Sequence, residues 1–402
     1  MKIPKGFQIE EGSNDDYVLE IRRNIYGQVN ASRVWNNYLT DKLINRLGFV
    51  QSKVDKCMFF KGKTIYLLYT NDSILAGPDK KEIENIIKQI KEVGLDITVE
   101  GDIQDFLGVN ITRNEDGSIL LHQPHLVDKI LEDLRLNDER VSTKDIPMAS
   151  SRLLSYHVNS TPFDGHFNYR SVIGKMLYLE KGTRPDIAYA THQCARFSSD
   201  PKKEHGEAVK WLGRYLKGTR DGGLLLRPDK TKGLEVYVDA SFAGDWDKKM
   251  SHEARTARSR HGYVIYYAGC PILVKSQLQT EIALSTTESE YTGASYALRD
   301  VIPIMEMLKE MSRHGFDILS TSANVRCRVF EDNSGALEVL KIDKYHPRTK
   351  HLSCRLHHFR SYVDDGQITI QKVNTSEQDA DMLTKPVNIE VLRRCRKKMM
   401  GW

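Results

Sequence analysis

The chain has 402 residues, of which 40% are hydrophobic and 28% are charged, and its formal net charge is +5 at pH 7. This composition places it among ordinary soluble globular proteins, and its length predicts two or three domains with sizeable cores. The mildly basic balance permits a nucleic-acid partner but does not require one.

Cysteine usage and hydropathy exclude two classes of protein. The six cysteines are scattered and form no CxxC pair, which indicates reduced thiols in an intracellular protein rather than a disulfide framework. No apolar run approaches the roughly 20 residues that a membrane-spanning helix needs, and the N-terminus lacks the apolar core of a signal peptide. We therefore expect a soluble protein with no membrane partner, whose oligomeric state is left open.

The first part of the chain alternates between helical and strand-forming patterns. Turn residues such as the Gly62-Lys63 pair separate short apolar runs, and Gly48 is a typical C-terminal stop for a helix. The predicted elements, in chain order, are a helix at Tyr26–Gly48, strands at Cys57–Lys61, Thr64–Tyr69 and Ser73–Ala76, a helix at 80–93, a hairpin of Phe106–Thr112 and Ser118–Leu121, and a helix at His125–Leu136.

The middle of the chain is predicted to be a connection made of helices. Residues 141–165, rich in Ser, Pro, Asp and Gly, are the best linker candidate. Residues 168–218 are predicted to be mostly helical with a break at Arg184-Pro185, and the glycine-containing segment Arg220–Gly233 is expected to separate them from the last domain.

The last domain has an α/β pattern of strands followed by helices. Its predicted strands are the run ending at Asp239, Gly262–Ala268, Pro271–Lys275, Val325–Phe330 and Gln367–Lys372. Helices are predicted after Ser285, after the turn that follows Asp332, and at the C-terminal end of the chain.

Four acidic residues of this domain lie at predicted ends of elements. Asp239 and Asp332 close two apolar strands, whereas Glu290 and Asp381 lie at predicted helix starts. Each has an ordinary alternative as a turn residue or as a carboxylate favoured by the helix dipole. Together, however, three or four carboxylates can hold two Mg²⁺ ions about 3.5–4 Å apart for in-line attack on a phosphodiester.

Ordered motifs make the last domain similar to the ribonuclease H (RNase H) domain of copia-type retrotransposon Pol polyproteins. The motifs are YVDA at 237–240, ARSRHGY at 257–263, LSTTESEY at 284–291, EDNSGA at 331–336, RTKHL at 348–352 and ADMLTKP at 380–386. Upstream, RPDIAYA at 184–190 resembles the segment that links polymerase to nuclease in the same polyproteins. The resemblance implies mixed α/β and α+β folds: a partial reverse-transcriptase palm, a helical connection, and an RNase H-like mixed five-stranded sheet with flanking helices.

The resemblance also implies a set of domain limits. Residues 1–150 correspond to the C-terminal part of a reverse-transcriptase domain, 151–232 to a helical thumb or connection, 233–388 to the RNase H-like domain, and 389–402 to a basic tail. No protease or integrase portion is expected within the chain.

In the polymerase-like part, the resemblance predicts a damaged site. Polymerases of this family place two adjacent aspartates in a Y-x-D-D hairpin, but here the hairpin is Tyr69-Thr70-Asn71-Asp72. An amide at Asn71 keeps the size but loses the negative charge that offsets a hard cation. The motif with the third aspartate is expected upstream of Lys5, and the pair Asp15-Asp16 lacks strand context. We expect this polymerase site to be inactive.

In the nuclease-like part, the four acids are predicted to be catalytic and metal-binding with two Mg²⁺ or Mn²⁺ ions. Asp239 is expected to bridge both ions, Glu290 and Asp332 to complete one side, and Asp381 to hold the ion that activates water, as terminal acids do in this family. The predicted nucleic-acid contacts are Ser241, Arg258, Arg260, Ser285 and Asn333.

Neighbouring polar residues are expected to have structural roles. Glu288 and Asp245 are interpreted as supporting residues, and Glu331 is expected to point to the opposite face of its strand end. The histidines at 346, 351, 357 and 358 crowd one segment, but a zinc site is disfavoured because paired cysteines and an HExxH helix are lacking. His351 is interpreted as structural.

The sequence thus predicts a retrotransposon Pol fragment in which RNase H cleaves the RNA strand of RNA–DNA hybrids and polymerase activity is absent. Its partner would be an RNA–DNA hybrid or other nucleic acid. It would act inside the cell, in the cytoplasm, a virus-like particle or the nucleus. The alternative is a catalytically inactive or domesticated relic that only binds nucleic acid through its basic surface.

Overall fold

A computed structural model of the protein describes residues 2–4, 6, 17–22, 24–25, 27–149, 154, 160–246, 248, 254–318, 325–341 and 358–402. Two compact units result: Met1–Val99 with Glu310–Phe316, and Glu100–Lys309 with Asp317–Trp402. This division does not coincide with the limits at 150 and 232, which stay a prediction about the modules of the family.

The first unit is an α+β structure with one antiparallel sheet in the order β1-β2-β3-β4. Its elements are α1 (Ala31–Asp41), continued by the π-helical Lys42–Arg46, β1 (Val50–Gln51), β2 (Met58–Lys61), β3 (Thr64–Tyr69), β4 (Asp72–Ala76) and α2 (Lys80–Glu92). The predicted strands and second helix are confirmed, whereas the first helix begins at Ala31 rather than Tyr26.

Local chemistry explains where these elements begin and end. Gly48 adopts a φ of 73°, which glycine reaches without a Cβ clash, and the chain turns there after the helix. Asp79 caps α2 by accepting a hydrogen bond from the Lys81 backbone N–H at 2.9 Å. The apolar faces of α1 and α2 bury Leu39 and Ile86 against the sheet, and this burial holds the unit together.

The second unit contains the remaining elements. They are β5 (Asp105–Phe106), β6 (Val109–Arg113), β7 (Ile119–His122), α3 (Pro124–Asp133), α4 (Tyr169–Gly182), a 3₁₀ turn at Pro185–Ile187, α5 (Ala188–Ala195), α6 (Lys203–Gly218), β8 (Gly223–Leu226), β9 (Leu234–Ser241), α7 (Ala254–Ala257), β10 (Arg260–Tyr267), β11 (Cys270–Leu278), α8 (Thr286–Arg313), β12 (Cys327–Glu331), α9 (Ser334–Lys341), α10 (358–364), β13 (Ile368–Lys372), a 3₁₀ turn at Thr375–Glu377, α11 (Asp381–Thr384) and α12 (Ile389–Met400). The end of α8, from Glu310, is counted with the first unit.

One sheet of this unit crosses a predicted boundary. The segment Arg220–Gly233, expected only to separate two domains, contains strand β8, which pairs antiparallel with β7 in a sheet of order β5-β6-β7-β8. The partner strand lies about a hundred residues earlier in the chain, so the local turn signals around it concealed the pairing.

The second sheet has the mixed five-stranded architecture that the RNase H resemblance implies. Its order is β11-β10-β9-β12-β13. Strands β9, β10 and β11 are antiparallel, whereas β12 is parallel to both β9 and β13. Because β9 and β12 are parallel neighbours, their C-terminal ends lie on the same side of the sheet. The candidate site lies at these strand ends.

The connection and the C-terminal segment are helical. The predicted break at Arg184-Pro185 is present between α4 and α5. The segment 389–402, assigned as a basic tail with a helix predicted at the C-terminal end of the chain, forms α12, which is capped by Asn388 and closed at Gly401 with a φ of 84°. Its apolar face, including Leu392 and Met399, is buried in the core of the second unit. Among the described residues, no helix has the length and apolar character needed to cross a bilayer.

Candidate metal centre

Asp239 lies within β9, which continues to Ser241, and not at the strand end as predicted. It pairs with Gly262 on β10. A glycine is needed at this position because a Cβ there would come within 2.5 Å of the Leu383 Cβ. This close packing of α11 on the sheet leaves the Asp239 side chain only 4% exposed.

Glu290 projects from the second turn of α8. The helix begins as predicted: the Ser285 hydroxyl accepts the Glu288 backbone N–H at 3.1 Å, and Glu288 in return accepts the Leu284 backbone N–H at 2.8 Å. Glu290 is 7% exposed and accepts a hydrogen bond from the backbone N–H of Ala240, the residue after Asp239. That bond links α8 to β9 at the site.

Asp332 follows the last residue of β12 and precedes α9. Its carboxylate accepts a hydrogen bond from the Thr375 hydroxyl at 2.8 Å. The side chain of the next residue, Asn333, caps α9 by accepting the Ala336 backbone N–H at 3.0 Å. Asp332 is thus placed on a short loop that is anchored on both sides.

These three acids meet at one point. One carboxylate oxygen from each of Asp239, Glu290 and Asp332 lies within 4.8 Å of the other two. Among the residues that the structure describes, no other group of three or more acid, histidine or cysteine side chains is arranged this closely. Three clustered carboxylate oxygens are the donors that the hard cations Mg²⁺ and Mn²⁺ prefer, so the residues fit such an ion.

Asp381, the fourth predicted ligand, is not a member of this close group. It begins α11, as predicted, and its Oδ1 lies 2.6 Å from the Lys385 Nζ. The same ammonium lies 3.7 Å from Asp239 Oδ2, and Arg394 lies 3.6 Å from Asp381 Oδ2. Asp381 is therefore linked to Asp239 through a shared lysine.

Sequence reasoning missed two contributors from the ADMLTKP motif. The Thr384 hydroxyl donates a hydrogen bond to Asp239, and Lys385 contacts both acids. Lys385 lies four residues after Asp381, the spacing at which side chains meet on a helix, so this spacing was a usable signal. The Thr384 contact depends on how α11 packs on β9, which no local pattern shows.

Burial and repulsion from nearby carboxylates raise the pKa values of Asp239 and Glu290. Burial, opposed by the Lys385 charge and the Thr384 hydrogen bond, raises the pKa of Asp239 to about 6. Burial is the main cause, and the charge of Glu331 the second, that raises the pKa of Glu290 well above its usual value. Clustered carboxylates that resist ionisation are the arrangement that a bound cation relieves.

Glu331, expected to point to the opposite face of its strand end, affects the electrostatics of this cluster without being one of its three members. Its side chain is fully buried, and burial raises its pKa to about 8. Its carboxylate accepts the Asn333 backbone N–H at 3.0 Å, and its charge acts on Glu290. Glu331 is therefore a buried charged neighbour of the three-carboxylate group.

These shifts predict how stability depends on pH. A carboxyl whose pKa is higher in the folded than in the unfolded chain stabilises the fold below its unfolded pKa, and this stabilisation is lost as pH rises through the folded pKa. With Glu331 at about 8 against an ordinary 4.5, the Tm of the metal-free protein should fall steadily between pH 5 and about 8. Thermal unfolding in a chelating buffer at several pH values measures this slope.

Two comparisons make this prediction specific to the acidic cluster. Glu331→Gln keeps the hydrogen-bond acceptor but removes the charge, so its Tm should decline less over the same pH range. Adding Mg²⁺ at pH 8 should raise the Tm of the wild type. A wild-type Tm that is constant or rises from pH 5 to 8 in the chelating buffer would contradict the assignment.

The predicted nucleic-acid contacts have three different placements. Ser241, Arg258 and Arg260 line a small pocket beside Asp239. Ser285 is exposed and Asn333 partly buried, and both cap helices that carry or follow the acids. Asp245, interpreted as a supporting residue, accepts a hydrogen bond from Arg196 at 2.6 Å. Their role toward nucleic acid stays a prediction.

The degenerate polymerase hairpin lies in the first unit. Tyr69 and Asp72 pair across the β3–β4 turn, whose residue Thr70 has a φ of 53°. Asn71 and Asp72 are both exposed, and among the described residues Asp72 belongs to no close group of three acid, histidine or cysteine side chains. Asp15 and Asp16, like His346, His351 and His357, lie outside the described residues.

Comparison with known proteins gives two kinds of similarity. Residues 1–150 match the family described as reverse transcriptase (RNA-dependent DNA polymerase). The whole chain is 32% identical to the retrovirus-related Pol polyprotein from transposon TNT 1-94 of Nicotiana tabacum, and 96% of it is 31% identical to that from transposon RE1 of Arabidopsis thaliana. It spans 29% and 25% of the lengths of these two relatives.

Among solved structures, the N-terminal RNase H domain of a Mycobacterium tuberculosis protein matches 41% of this chain over 96% of its own length, with 13% identity and a TM-score of 0.26. The similarity to the transposon polyproteins extends from the first to the last residues of the chain. The family match and these whole-chain similarities support a copia-type retrovirus-related Pol polyprotein of a transposon as the source of this chain.

Proposed function

We propose that this chain is an endonuclease that hydrolyses the RNA strand of RNA–DNA hybrids with the help of divalent cations. The observation that carries the proposal is the meeting of Asp239, Glu290 and Asp332 within 4.8 Å, at the edge where β9 and β12 end side by side. Such a site binds the hard cations that phosphodiester hydrolysis uses.

The side chains of the site would divide the work of binding and orientation. Asp239, Glu290 and Asp332 would hold the cation, and Thr384 would keep the Asp239 carboxylate in one orientation through its hydrogen bond. A bound Mg²⁺ or Mn²⁺ supplies acidification of an attacking water and stabilisation of the leaving oxygen. Lys385 adds a fixed positive charge beside Asp239 and Asp381, where a phosphate oxygen would gather negative charge.

A two-ion site is the finer form of this proposal. The three-carboxylate group provides for one ion, and Asp239 with Asp381 would hold the second. The Lys385 ammonium contacts both of those carboxylates, so a second ion would have to displace it. Titration of Mn²⁺ followed by calorimetry would distinguish one bound ion from two.

The test of the function is cleavage of an RNA–DNA hybrid that carries a label on its RNA strand. Cleavage by the wild type in Mg²⁺ or Mn²⁺, with none in a chelating buffer, supports the proposal. A second hybrid, labelled on its DNA strand instead, should show no cleavage of that strand. If the wild type and Asp239→Asn are equally inactive but both bind the hybrid, the catalytically inactive nucleic-acid-binding alternative is supported.

We also propose that the polymerase-like hairpin is inactive. Asn71 replaces a carboxylate with an amide, and Asp72 is exposed at a turn with no close group of acids among the described residues. No primer extension on an RNA or DNA template is therefore expected from the purified wild type, measured by incorporation of labelled deoxynucleotides.

The variant Asn71→Asp tests whether the loss of this one charge is enough to explain the missing activity. It restores the adjacent pair of aspartates but no third ligand, so it should also give no extension. Extension by the wild type would refute the proposal outright. Extension by Asn71→Asp but not by the wild type would show that restoring this one charge is sufficient, contrary to the expectation that a third ligand is also missing.

A further inference from the structure

A small pocket opens beside the metal centre and is built entirely within the second unit. Its volume is about 60 Å³, several times what one water molecule requires by the measure of about 10–15 Å³. Ser241 at the end of β9, Arg258 and Arg260 before and at the start of β10, Tyr189 of α5 and Lys385 after α11 form its walls. Nuclease sheet and connection helix therefore share this pocket.

Two guanidinium groups of the pocket have unused donors. Arg260 is only 3% exposed; its Nη1 donates to the Ser276 hydroxyl at 3.2 Å, and its cation lies 5.5 Å from the Tyr189 ring centroid. Within the described ranges, neither its Nε nor the buried Nε of Arg258 has a hydrogen-bond partner. A buried cation with an unsatisfied donor is costly unless an anion binds it.

The one acid of the pocket, Asp245, is already engaged elsewhere. Its Oδ2 accepts a hydrogen bond from Arg196 at 2.6 Å, and its Oδ1 accepts one from Gln193 at 2.9 Å. With that pairing, the charges of Arg258 and Arg260 make the pocket positive. A phosphate group, with several acceptor oxygens and a negative charge, suits this set of donors better than a neutral ligand does.

The pocket and the metal centre share residues. Thr384 lines the pocket and donates a hydrogen bond to Asp239, and Ser241 follows Asp239 by two residues on β9. We propose that the pocket binds a backbone phosphate of the RNA strand next to the phosphate at the metal centre, with α5 as its back wall. This assignment rests on the proposed function and makes the connection helix part of the substrate site.

The test measures binding rather than cleavage, in an Asp332→Asn background that leaves the pocket intact. Arg258→Gln removes one charge from the partly exposed side of the pocket and should weaken binding of a short RNA–DNA hybrid by roughly 5- to 10-fold, with a shallower salt dependence. Arg255→Gln makes the same change three residues away at an exposed position outside the pocket and should have little effect.

If the Arg258→Gln variant folds poorly, the proposal can still be tested on the wild type by replacing the phosphates of the RNA strand one at a time. Replacing each phosphate in turn by a neutral methylphosphonate should weaken wild-type binding most at one position near the cleavage site. In Arg258→Gln the same replacement should cost clearly less, because one of the two guanidinium partners of that phosphate is already lost. Equal loss at all positions, or the same profile in both proteins, would overturn the proposal.

A free phosphate ion is the alternative ligand of the pocket, because it offers the same charge and acceptor oxygens as a backbone phosphate. Inorganic phosphate that binds the wild type but not Arg258→Gln, together with a uniform methylphosphonate profile, would show a site for the free anion and overturn the backbone assignment. Failure of the proposed nuclease function would be distinguishable from failure of the phosphate assignment. A protein that never cleaves could still show the position-specific methylphosphonate profile, and a protein that cleaves could lack that profile.

Discussion

Asp239→Asn is expected to lower the rate of hybrid cleavage by about 10³-fold or more, since it removes one charge of the three-carboxylate group that would hold the cation. A metal-ion centre contributes several kcal/mol to stabilisation of the transition state, and about 4 kcal/mol corresponds to about 10³ in rate. Asparagine keeps the size and one acceptor oxygen for the Thr384 hydroxyl, so the change acts on charge rather than on packing. Single-turnover cleavage of the labelled hybrid measures the loss.

Folding of the variant must be shown to be intact for this loss to be assigned to chemistry. Because burial raises the pKa of Asp239 to about 6, its ionised form destabilises the metal-free fold at pH 8. Asp239→Asn should therefore unfold in a chelating buffer at a temperature equal to or above that of the wild type. A lower unfolding temperature would point to a structural role instead.

Glu288→Gln is the matched control for this experiment. Glu288 lies two residues before Glu290 on α8, but its carboxylate accepts the Leu284 backbone N–H and caps the helix. Glutamine can accept the same hydrogen bond. Cleavage by Glu288→Gln should therefore stay within a few-fold of the wild type, as for a surface change that preserves a cap. A loss equal to that of Asp239→Asn would show that any nearby acid matters.

The convergence of the acids could be predicted because it follows from the ends of regular elements. Strands β9 and β12 are parallel, with Leu234 paired to Cys327 and Tyr237 to Phe330. Continuing that register by two residues brings Asp332 beside Asp239. Alternating apolar residues located both strands, and the Ser285 cap located the start of the helix that carries Glu290.

Other parts of the second unit could not be predicted because they depend on contacts between distant segments. Strand β8 pairs with β7 across a whole helical connection, and the glycines and proline around it looked locally like a loop. The basic residues of α12 resembled a charged tail. In the structure, Lys398 instead lies 2.9 Å from the buried Asp379, and Arg394 lies near Asp381. Periodicity within one segment carries no information on such partners.

A second large effect is expected at the break between α4 and α5, where an ion pair is completely buried. Arg184 and Asp186 are joined by two hydrogen bonds of 2.9 Å, and both side chains are 0% exposed. The Tyr215 hydroxyl donates to Asp186 at 2.5 Å, while the other end of the guanidinium donates to the Thr219 carbonyl at 2.7 Å. Each charge therefore depends on the other for compensation.

Asp186→Asn should destabilise the second unit by about 3–5 kcal/mol, because it leaves the Arg184 charge buried without its counter-charge. The chain offers a matched control in Asp128, whose ion pair with Arg220 is about as close but 37% and 43% exposed. Asp128→Asn should cost at most about 1 kcal/mol, since solvent screens that pair. Chemical denaturation followed by tryptophan fluorescence gives both free energies of unfolding.

The same substitution should also lower nuclease activity, because the buried pair holds the helix that supports the metal centre. Arg396 of α12 donates to the Tyr215 hydroxyl at 3.2 Å, and the Trp402 ring lies 5.5 Å from the Arg184 cation. On the same helix, Arg394 lies 3.6 Å from Asp381. Loosening this end of α12 would shift that charge relative to Asp381. Asp186→Asn protein that is as stable as the wild type, with unchanged cleavage, would contradict both consequences.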